Sequence, residues 1–259
     1  MLNSIRVKKC DYKYLQTVIS AYYKDNNIIV DSFWETHVRE SRFYKMDYNG
    51  TIAGYFAIHN ETVLTLFNVL DNYRNVSQEL FSIAKKYESV KEALIPTGDE
   101  FFISLAFDNY AKIEKQAYFS IYTEKTPQKI LNIELQLADI EKDMEILNLC
   151  YEFLKSEIKN IENGIDEEIY IARHGNEVIG FGVIEYQKVV DIYASIGMIV
   201  RDEYRQKGYG ANILNALKNI VKAKDKIPIS GCWYYNHNSK KTMESAGAYS
   251  KTRLLRFYF

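Results

Sequence analysis

The sequence predicts an α/β protein built as two similar domains in tandem, and three observations carry that expectation. A hairpin-like run occurs twice, a short Tyr-Arg segment downstream of it also occurs twice, and the same succession of strand and amphipathic helix surrounds each copy. With 259 residues, 47% hydrophobic and 26% charged, the chain has an ordinary globular composition and room for two modest domains.

The run Phe43 to Ile58 lies over Ile169 to Ile184 without gaps and pairs Gly54 with Gly180. Both read as β-hairpins, because Tyr48-Asn49-Gly50 and His174-Gly175-Asn176 hold residues that tolerate positive φ between β-branched and aromatic flanks. The second echo sets Val69-Leu70-Asp71-Asn72-Tyr73-Arg74 over Val200-Arg201-Asp202-Glu203-Tyr204-Arg205. In the first half the pattern predicts a strand over Leu64 to Val69, a helix from about Val76 to Tyr87, a strand near Phe101 to Phe107 and a closing segment around Tyr118 to Tyr122. In the second half it predicts a helical region from Asp139 to Ile161, the hairpin, a strand over Tyr193 to Val200 and a helix from Tyr209 to Lys224. A strand over Ile227 to Trp233, a short helix from Ser239 to Ser245 and a final strand over Lys251 to Phe259 follow. A polar, Pro-containing stretch at Thr126-Pro127 divides two hydrophobic runs, so the expected domains are 1–126 and 127–259.

Composition narrows the function classes. Thirty-three basic against thirty-four acidic residues leave a net charge of -1, so no bulk field draws nucleic acid or an acidic membrane, and any anion site must be local. Cys10, Cys150 and Cys232 are far apart and lack a CxxC pair, which fits buried thiols in a reducing cytoplasm and argues against a disulfide framework or a metal site. The N-terminal stretch has no apolar core of signal-peptide length, and the longest apolar runs, such as Val178 to Ile184, are strand-sized, so no membrane segment is expected.

The chemistry-bearing segment is Ser195 to Leu214. It reads as strand, turn, helix, with Arg205-Gln206-Lys207-Gly208-Tyr209-Gly210 at the helix mouth. A helix opening on such a run leaves its first-turn amides unpaired, removes side chains where a ligand approaches, and adds the positive end of the helix dipole, which suits a pyrophosphate. Arg205 and Lys207 are expected to supplement that charge. A dinucleotide-binding fingerprint needs Gly-x-Gly-x-x-Gly, and a P-loop ends in Gly-Lys-Ser or Gly-Lys-Thr; neither spacing is present.

This loop, with its preceding strand and following helix, resembles the acetyl-CoA loop of the GNAT superfamily of N-acetyltransferases, and Asn236 to Ala248 is similar to the family's Asn-x-x-Ala/Ser helix. The resemblance spans about Leu131 to Phe259, with a degenerate version over about Ile5 to Glu124. It implies two tandem GNAT-like acyl-CoA N-acyltransferase domains with a mixed sheet, whose strands ending at Val200 and near Trp233 splay around the pantetheine of acetyl-CoA. Backbone groups of Met198, Ile199 and Val200 would meet the pantetheine, with Gly197 at a bulge or close approach. Amides of Gln206, Lys207, Gly208, Tyr209, Gly210 and Ala211 would hold the pyrophosphate, and Asn236 with Ser239 or Lys240 would touch the pantetheine or the adenosine phosphate. Setting the Tyr-Arg pairs together puts Ser77 opposite Gly208 and Glu79 opposite Gly210, which block close approach and add repulsive charge; the first domain is expected to have lost the coenzyme and to support the second, as a packing partner or by covering its cleft.

The resemblance implies acetyl transfer to an amine of a small molecule or peptide, with no metal, in a monomer or homodimer. The sequence departs from the family where its tyrosine acid stands, here Met243, and where some relatives carry a strand Glu, here Ala194. Tyr234, Tyr235 and Tyr249 are the neighbouring candidates for the acid, Asp191 and Glu185 the nearest carboxylates for the base, and His237 and Cys232 further titratable groups. The competing expectation is a non-catalytic acyl-CoA-binding sensor or interaction module.

Overall fold

The computed structural model describes residues 5–259; Met1 to Ser4, the start of the charged N-terminal stretch, lie outside the described residues. The chain runs β1 (Ile5–Cys10), α1 (Tyr12–Asp25), α2 (Ser32–Arg39), β2 (Arg42–Tyr48), β3 (Thr51–His59), β4 (Val63–Val69), α3 (Ser77–Lys86), β5 (Glu92–Pro96), α4 (Glu100–Phe107) and β6 (Lys112–Tyr122). It then repeats that order as β7 (Glu134–Leu137), α5 (Met144–Leu147), α6 (Tyr151–Glu162), β8 (Glu167–His174), β9 (Glu177–Tyr186), β10 (Tyr193–Val200), α7 (Tyr209–Ala223), β11 (Ile227–Trp233), α8 (His237–Ser245) and β12 (Ala248–Tyr258). A 3-10 turn precedes α3 (Asp71–Val76) and another follows β10 (Asp202–Tyr204).

Two compact units divide the chain. One takes the sequence up to Ala117 together with Thr252–Phe259, and the other takes Tyr118–Lys251. These compact units divide ahead of the expected break at Thr126-Pro127, and the end of the last strand is grouped with the first unit. Backbone pairing is the reason: β12 pairs with β5 through Leu254↔Pro96 to Tyr258↔Glu92, while the end of β6 lies beside β11. Each unit's sheet is mixed, with β4 parallel to β5 and β10 parallel to β11 among antiparallel neighbours.

The two hairpins match residue for residue. A Cβ on Gly54 would lie 2.5 Å from the Asn68 carbonyl oxygen, and one on Gly180 would lie 2.2 Å from that of Ile199, so both positions exclude any side chain. A register shift falls opposite each, between Met46 and Asp47 and between Ala172 and Arg173.

In the second unit the period-two alternation of β8 sends Tyr170 and Ala172 to one face and Ile169 and Ile171 to the other. The first face is covered by α7 and α8 through Ile213, Leu214, Leu217, Val221 and Met243. Leu154 and Ile158 of α6 cover the second. In the first unit Phe56, Phe67, Phe81 and Phe102 centre a core that also takes Phe257 of β12.

One expected strand is a helix. Phe101 to Phe107 lies in α4, where Phe102, Leu105 and Ala106 face the core and the Asp99 carboxylate accepts from the Phe102 amide at 3.1 Å. The strand that pairs there is β5, ended by Pro96. Among the described residues no helix is long and apolar enough to cross a membrane, and no group of three His, Cys, Asp or Glu could hold a metal ion.

Candidate functional site

The second unit contains a fork. β10 and β11 pair through Tyr193↔Ile227, Ala194↔Pro228 and Ser195↔Ile229, and their ladder ends there. Along β10 the backbone groups alternate between neighbours. The Arg201 amide donates to Ile179 and the Ile227 amide to Ile192, so odd-numbered residues serve β9 and even-numbered residues face the fork. Two of the fork-facing carbonyls are sealed by side chains: Ser230 Oγ donates to Ile196 O at 2.6 Å, and Arg205 Nε donates to Val200 O at 3.0 Å. Between them the open edge presents the N–H and C=O of Met198 and the N–H of Val200. Ile199, expected among the pantetheine contacts, directs its backbone groups to β9 and supplies only its side chain.

Beyond β10 the chain prepares a helix mouth. Gln206 and Gly208 take left-handed φ of +60° and +90°, and α7 begins at Tyr209. The Asn212 amide donates to Gly208 O, so the amides of Tyr209, Gly210 and Ala211 precede the first helical bond. Left-handed residues at such a turn gather consecutive N–H groups into an anion-accepting concavity. Gly208 is required by its φ. Gly210 has a protein-packing reason as well, since a Cβ there would come within 3.0 Å of Thr242 and 3.1 Å of the Met198 sulfur.

A cleft of about 530 Å³ opens at this mouth. It gathers Met198, Ile199, Val200, Arg205, Gln206, Gly208, Tyr209, Gly210, Ala211, Asn236 and Ser239, all expected from sequence. It adds Tyr204, Asn238, Lys241, Thr242 and Ser245, which the sequence reading missed. The signal for four of these was the helical spacing of 238, 241, 242 and 245, which places them on one face of α8. Asn236 caps α8 by accepting from the Ser239 amide at 3.1 Å.

Several expected residues are engaged differently from the expectation. Lys207 turns back, its Nζ donating to Glu203 O at 2.8 Å. Lys240 pairs with Glu244 and lies over the Tyr118 ring, leaving Lys241 as the cleft's lysine. Arg205 spends its guanidinium on Val200 O and Asp202, at 2.7 Å from the carboxylate. Gly197 forms no bulge against β9, whose register runs unbroken from Ala194 to Val200, but it leaves open space where a Cβ would sit.

The acid and base candidates are not gathered at the cleft. Tyr234 stacks on Tyr118 at 4.5 Å and Tyr235 packs edge-on against Trp233, so both belong to an aromatic cluster. Asp191 precedes β10 at the paired end of the fork, and its carbonyl accepts from Lys226. Met243 is buried in the α7–α8 core and Ala194 is fully buried. A second hollow of about 520 Å³ lies where the α5–α6 junction meets the end of β10; its lining includes Cys150, Tyr151, Phe153 and Arg201, and it shares Ile199, Val200 and Arg205 with the cleft. Burial pushes the Cys150 thiol up, which keeps it protonated.

Comparison with known proteins bears on both halves. Residues 11–123 match a model described as an acetyltransferase (GNAT) domain, and residues 136–248 match one described as the acetyltransferase (GNAT) family. Among solved structures, a GNAT-family acetyltransferase from Colwellia psychrerythraea is similar at a TM-score of 0.85 and 19% identity, covering 98% of this chain and 99% of that one. A tandem GNAT protein from the clavulanic acid biosynthesis pathway is similar at 0.63 and 11% identity, covering 98% of each chain. A GCN5-related N-acetyltransferase from Sphaerobacter thermophilus is similar at 0.60 and 11% identity, over 98% of this chain and 95% of that one. No curated protein sequence matches significantly. Two consecutive family matches on a twice-repeated element order identify the chain as a member of the GNAT superfamily of acetyltransferases, with two tandem GNAT-like domains.

Proposed function

We propose that the second unit uses acetyl-CoA to acetylate a primary amine of a small molecule or peptide, by direct attack of the amine on the thioester. One observation carries this reading: the open β10 edge at Met198 and Val200 and the left-handed turn at the mouth of α7 line one cleft. The residues fit the coenzyme. A short amide ladder can form on the strand edge, and the diphosphate suits the first-turn N–H groups and the dipole of a helix fifteen residues long.

Acetyl-CoA supplies an activated acyl group and a thiolate leaving group. The chain supplies position and polarity. Met198 N–H is the edge donor for an acyl oxygen gaining negative charge, and Lys241 adds a cation at the cleft wall. The hollow beside Cys150 and Tyr151, which meets the cleft at Ile199 and Val200, is the approach for the amine. The acceptor must arrive as a free base, since its ammonium form has no lone pair. With Tyr234, Tyr235 and Asp191 outside the cleft, solvent takes that proton and then the second one, from the nitrogen of the tetrahedral adduct; as the C–S bond breaks the thiolate, whose conjugate acid has a pKa of about 8.5, departs without a side-chain acid and is protonated by solvent.

The first unit does not bind the coenzyme in this reading. The 3-10 turn Asp71–Val76 runs directly into α3 at Ser77, where the second unit places Gln206 to Gly208. Thiol release from acetyl-CoA in the presence of polyamines, amino acids, aminoglycosides and peptides tests the reaction. Release that rises with one of these amines is the expected result; tight CoA binding with no amine-dependent release from any class would overturn it.

A further inference from the structure

The apex of the fork bears on which acyl groups the coenzyme can carry, an inference that rests on the acetyl-CoA reading above. At the first positions past the last paired residues, Ser195 and Ile229, the strands meet through a side chain, because Ser230 Oγ donates to Ile196 O at 2.6 Å. Tyr122 OH lies 2.7 Å from the same Oγ. Ser230 has one proton and Ile196 O receives it, so the Tyr122 hydroxyl is the donor of the second bond. Burial holds the Tyr122 phenol well above its ordinary value, which keeps that proton in place.

Ser230 and Ile196 are 2% and 3% exposed. The β10 lining of the cleft stops at Met198, two residues short of Ile196. With the diphosphate at the mouth of α7, the thioester would be the end of the coenzyme nearest this apex. The acyl group would then face a closed floor whose hydroxyls and carbonyl already bond one another.

We propose that the chain Tyr122–Ser230–Ile196 limits the acyl group to a short one, with Ser230 and Tyr122 as specificity-determining residues. In an apolar tunnel each added methylene strengthens binding. Against a satisfied polar floor it must displace hydrogen-bonded groups that find no new partner, so lengthening weakens binding. Tyr122 ends β6, so a residue carried in the sequence of the first GNAT repeat sets the acyl choice of the second unit.

Isothermal titration of the full chain with CoA, acetyl-CoA, butyryl-CoA and hexanoyl-CoA tests this, alongside Ser230→Ala and Tyr122→Phe. In the unaltered chain butyryl-CoA should bind about tenfold or more weakly than acetyl-CoA, the size of discrimination a methylene or two can produce. Ser230→Ala should narrow that ratio by about fivefold and leave CoA within about twofold, as expected for one lost hydrogen bond at the floor. Tyr122→Phe keeps the bond to Ile196 O, so it should narrow the ratio less, and it carries the test if Ser230→Ala does not fold. Longer acyl chains binding the unaltered protein as tightly as acetyl, or a ratio unmoved in every variant that folds, would overturn the floor while CoA binding stands. Failure of the unaltered chain to bind CoA, which has no acyl group to clash, would instead remove the coenzyme reading and the floor with it.

Discussion

The forks of the two units start alike and end differently. β4 and β5 pair only through Val63↔Glu92 and Leu64↔Ala93 before parting, as β10 and β11 do after Ser195↔Ile229. The register places Val69 where Val200 stands, since both lie opposite the paired glycines Gly54 and Gly180. Yet the Val69 amide is closed by Asn68 Oδ1 at 2.9 Å, whereas the Val200 amide faces an open cleft. The caps differ too. α8 is capped by the neutral, exposed Asn236, and α4 by Asp99, a buried carboxylate that also accepts from Tyr22 OH at 2.7 Å. Arg74, the counterpart of Arg205, lies over the Phe101 ring at 3.8 Å. The comparison teaches that the same backbone group can be satisfied internally in one copy of the fold and left open in the other without closing the fork's geometry, which is the basis of the proposal that only the second unit takes the coenzyme.

The equivalence of the hairpins gives the largest expected effect. Gly54→Ala and Gly180→Ala each force a Cβ onto a backbone oxygen, which the strands can relieve only by separating, so each should cost about 3 kcal/mol in urea unfolding. A loss below about 1 kcal/mol at one glycine alone would break the correspondence on which the comparison rests. Next is the contrast at the helix mouths. Gly208→Glu puts a β-carbon at a φ of +90° and a carboxylate beside the diphosphate, and should weaken CoA binding about 100-fold. The double change Ser77→Gly and Glu79→Gly should not create a second site, because the Val69 amide stays sealed. Titration should still give one CoA per chain, and a stoichiometry of two would show that the glycines alone decide.

The caps differ in their response to pH. Burial pushes the Asp99 carboxyl up to about 6, against the opposing bonds from Tyr22 and Phe102 and the charge of Arg74. Its folded value is raised above an unfolded value of about 3.9, so the folded state holds the proton more tightly. The associated stability is present in full below about pH 4 and is lost as pH rises through about 6, an amount on the order of 3 kcal/mol. Asp31, pushed up to about 7 by burial, acts with the same sign. Asp99→Asn keeps an acceptor for the cap and should flatten the difference between unfolding at pH 5 and pH 7.5 by about 1.4 kcal/mol, the other half of the change falling below pH 5, with Asp31 left to supply the remainder. An unchanged pH profile would mean that the carboxyl is ordinary in the folded protein.

The repeat itself was legible because its devices are local. Gly54, Gly180 and the two Tyr-Arg segments announce turns and close approaches through residue type alone, and β10 and β11 fall on the residues that the sequence pattern predicts. Two things were not legible for physical reasons. The stretch Phe101 to Phe107 is apolar enough for either a strand or a buried helix, and only the Asp99 cap and the presence of β5 decide between them. The return of Thr252–Phe259 to the first unit depends on long-range pairing with β5, which no local pattern encodes. At the site, the loop and strand were readable as backbone features. Which long side chains reach the cleft was not, because that depends on what each finds nearby.

Lysines make that last point testable, with the smallest effects. Lys207 and Lys241 are both exposed, but Lys207 is held by Glu203 O and lies over the Tyr204 ring, while Lys241 stands on the cleft face of α8. An exposed ammonium near a diphosphate contributes modestly and is screened by salt. Lys241→Ala should therefore weaken CoA binding about threefold to fivefold at low ionic strength, and the loss should shrink toward nothing near 0.5 M salt as the screening length falls below about 5 Å. Lys207→Ala should change the affinity less than about twofold at any salt, since its charge is already directed at a carbonyl. If Lys207→Ala proved the more damaging, the ammonium would have to leave Glu203 when the coenzyme arrives, and the motif residue would outrank the one that geometry selects.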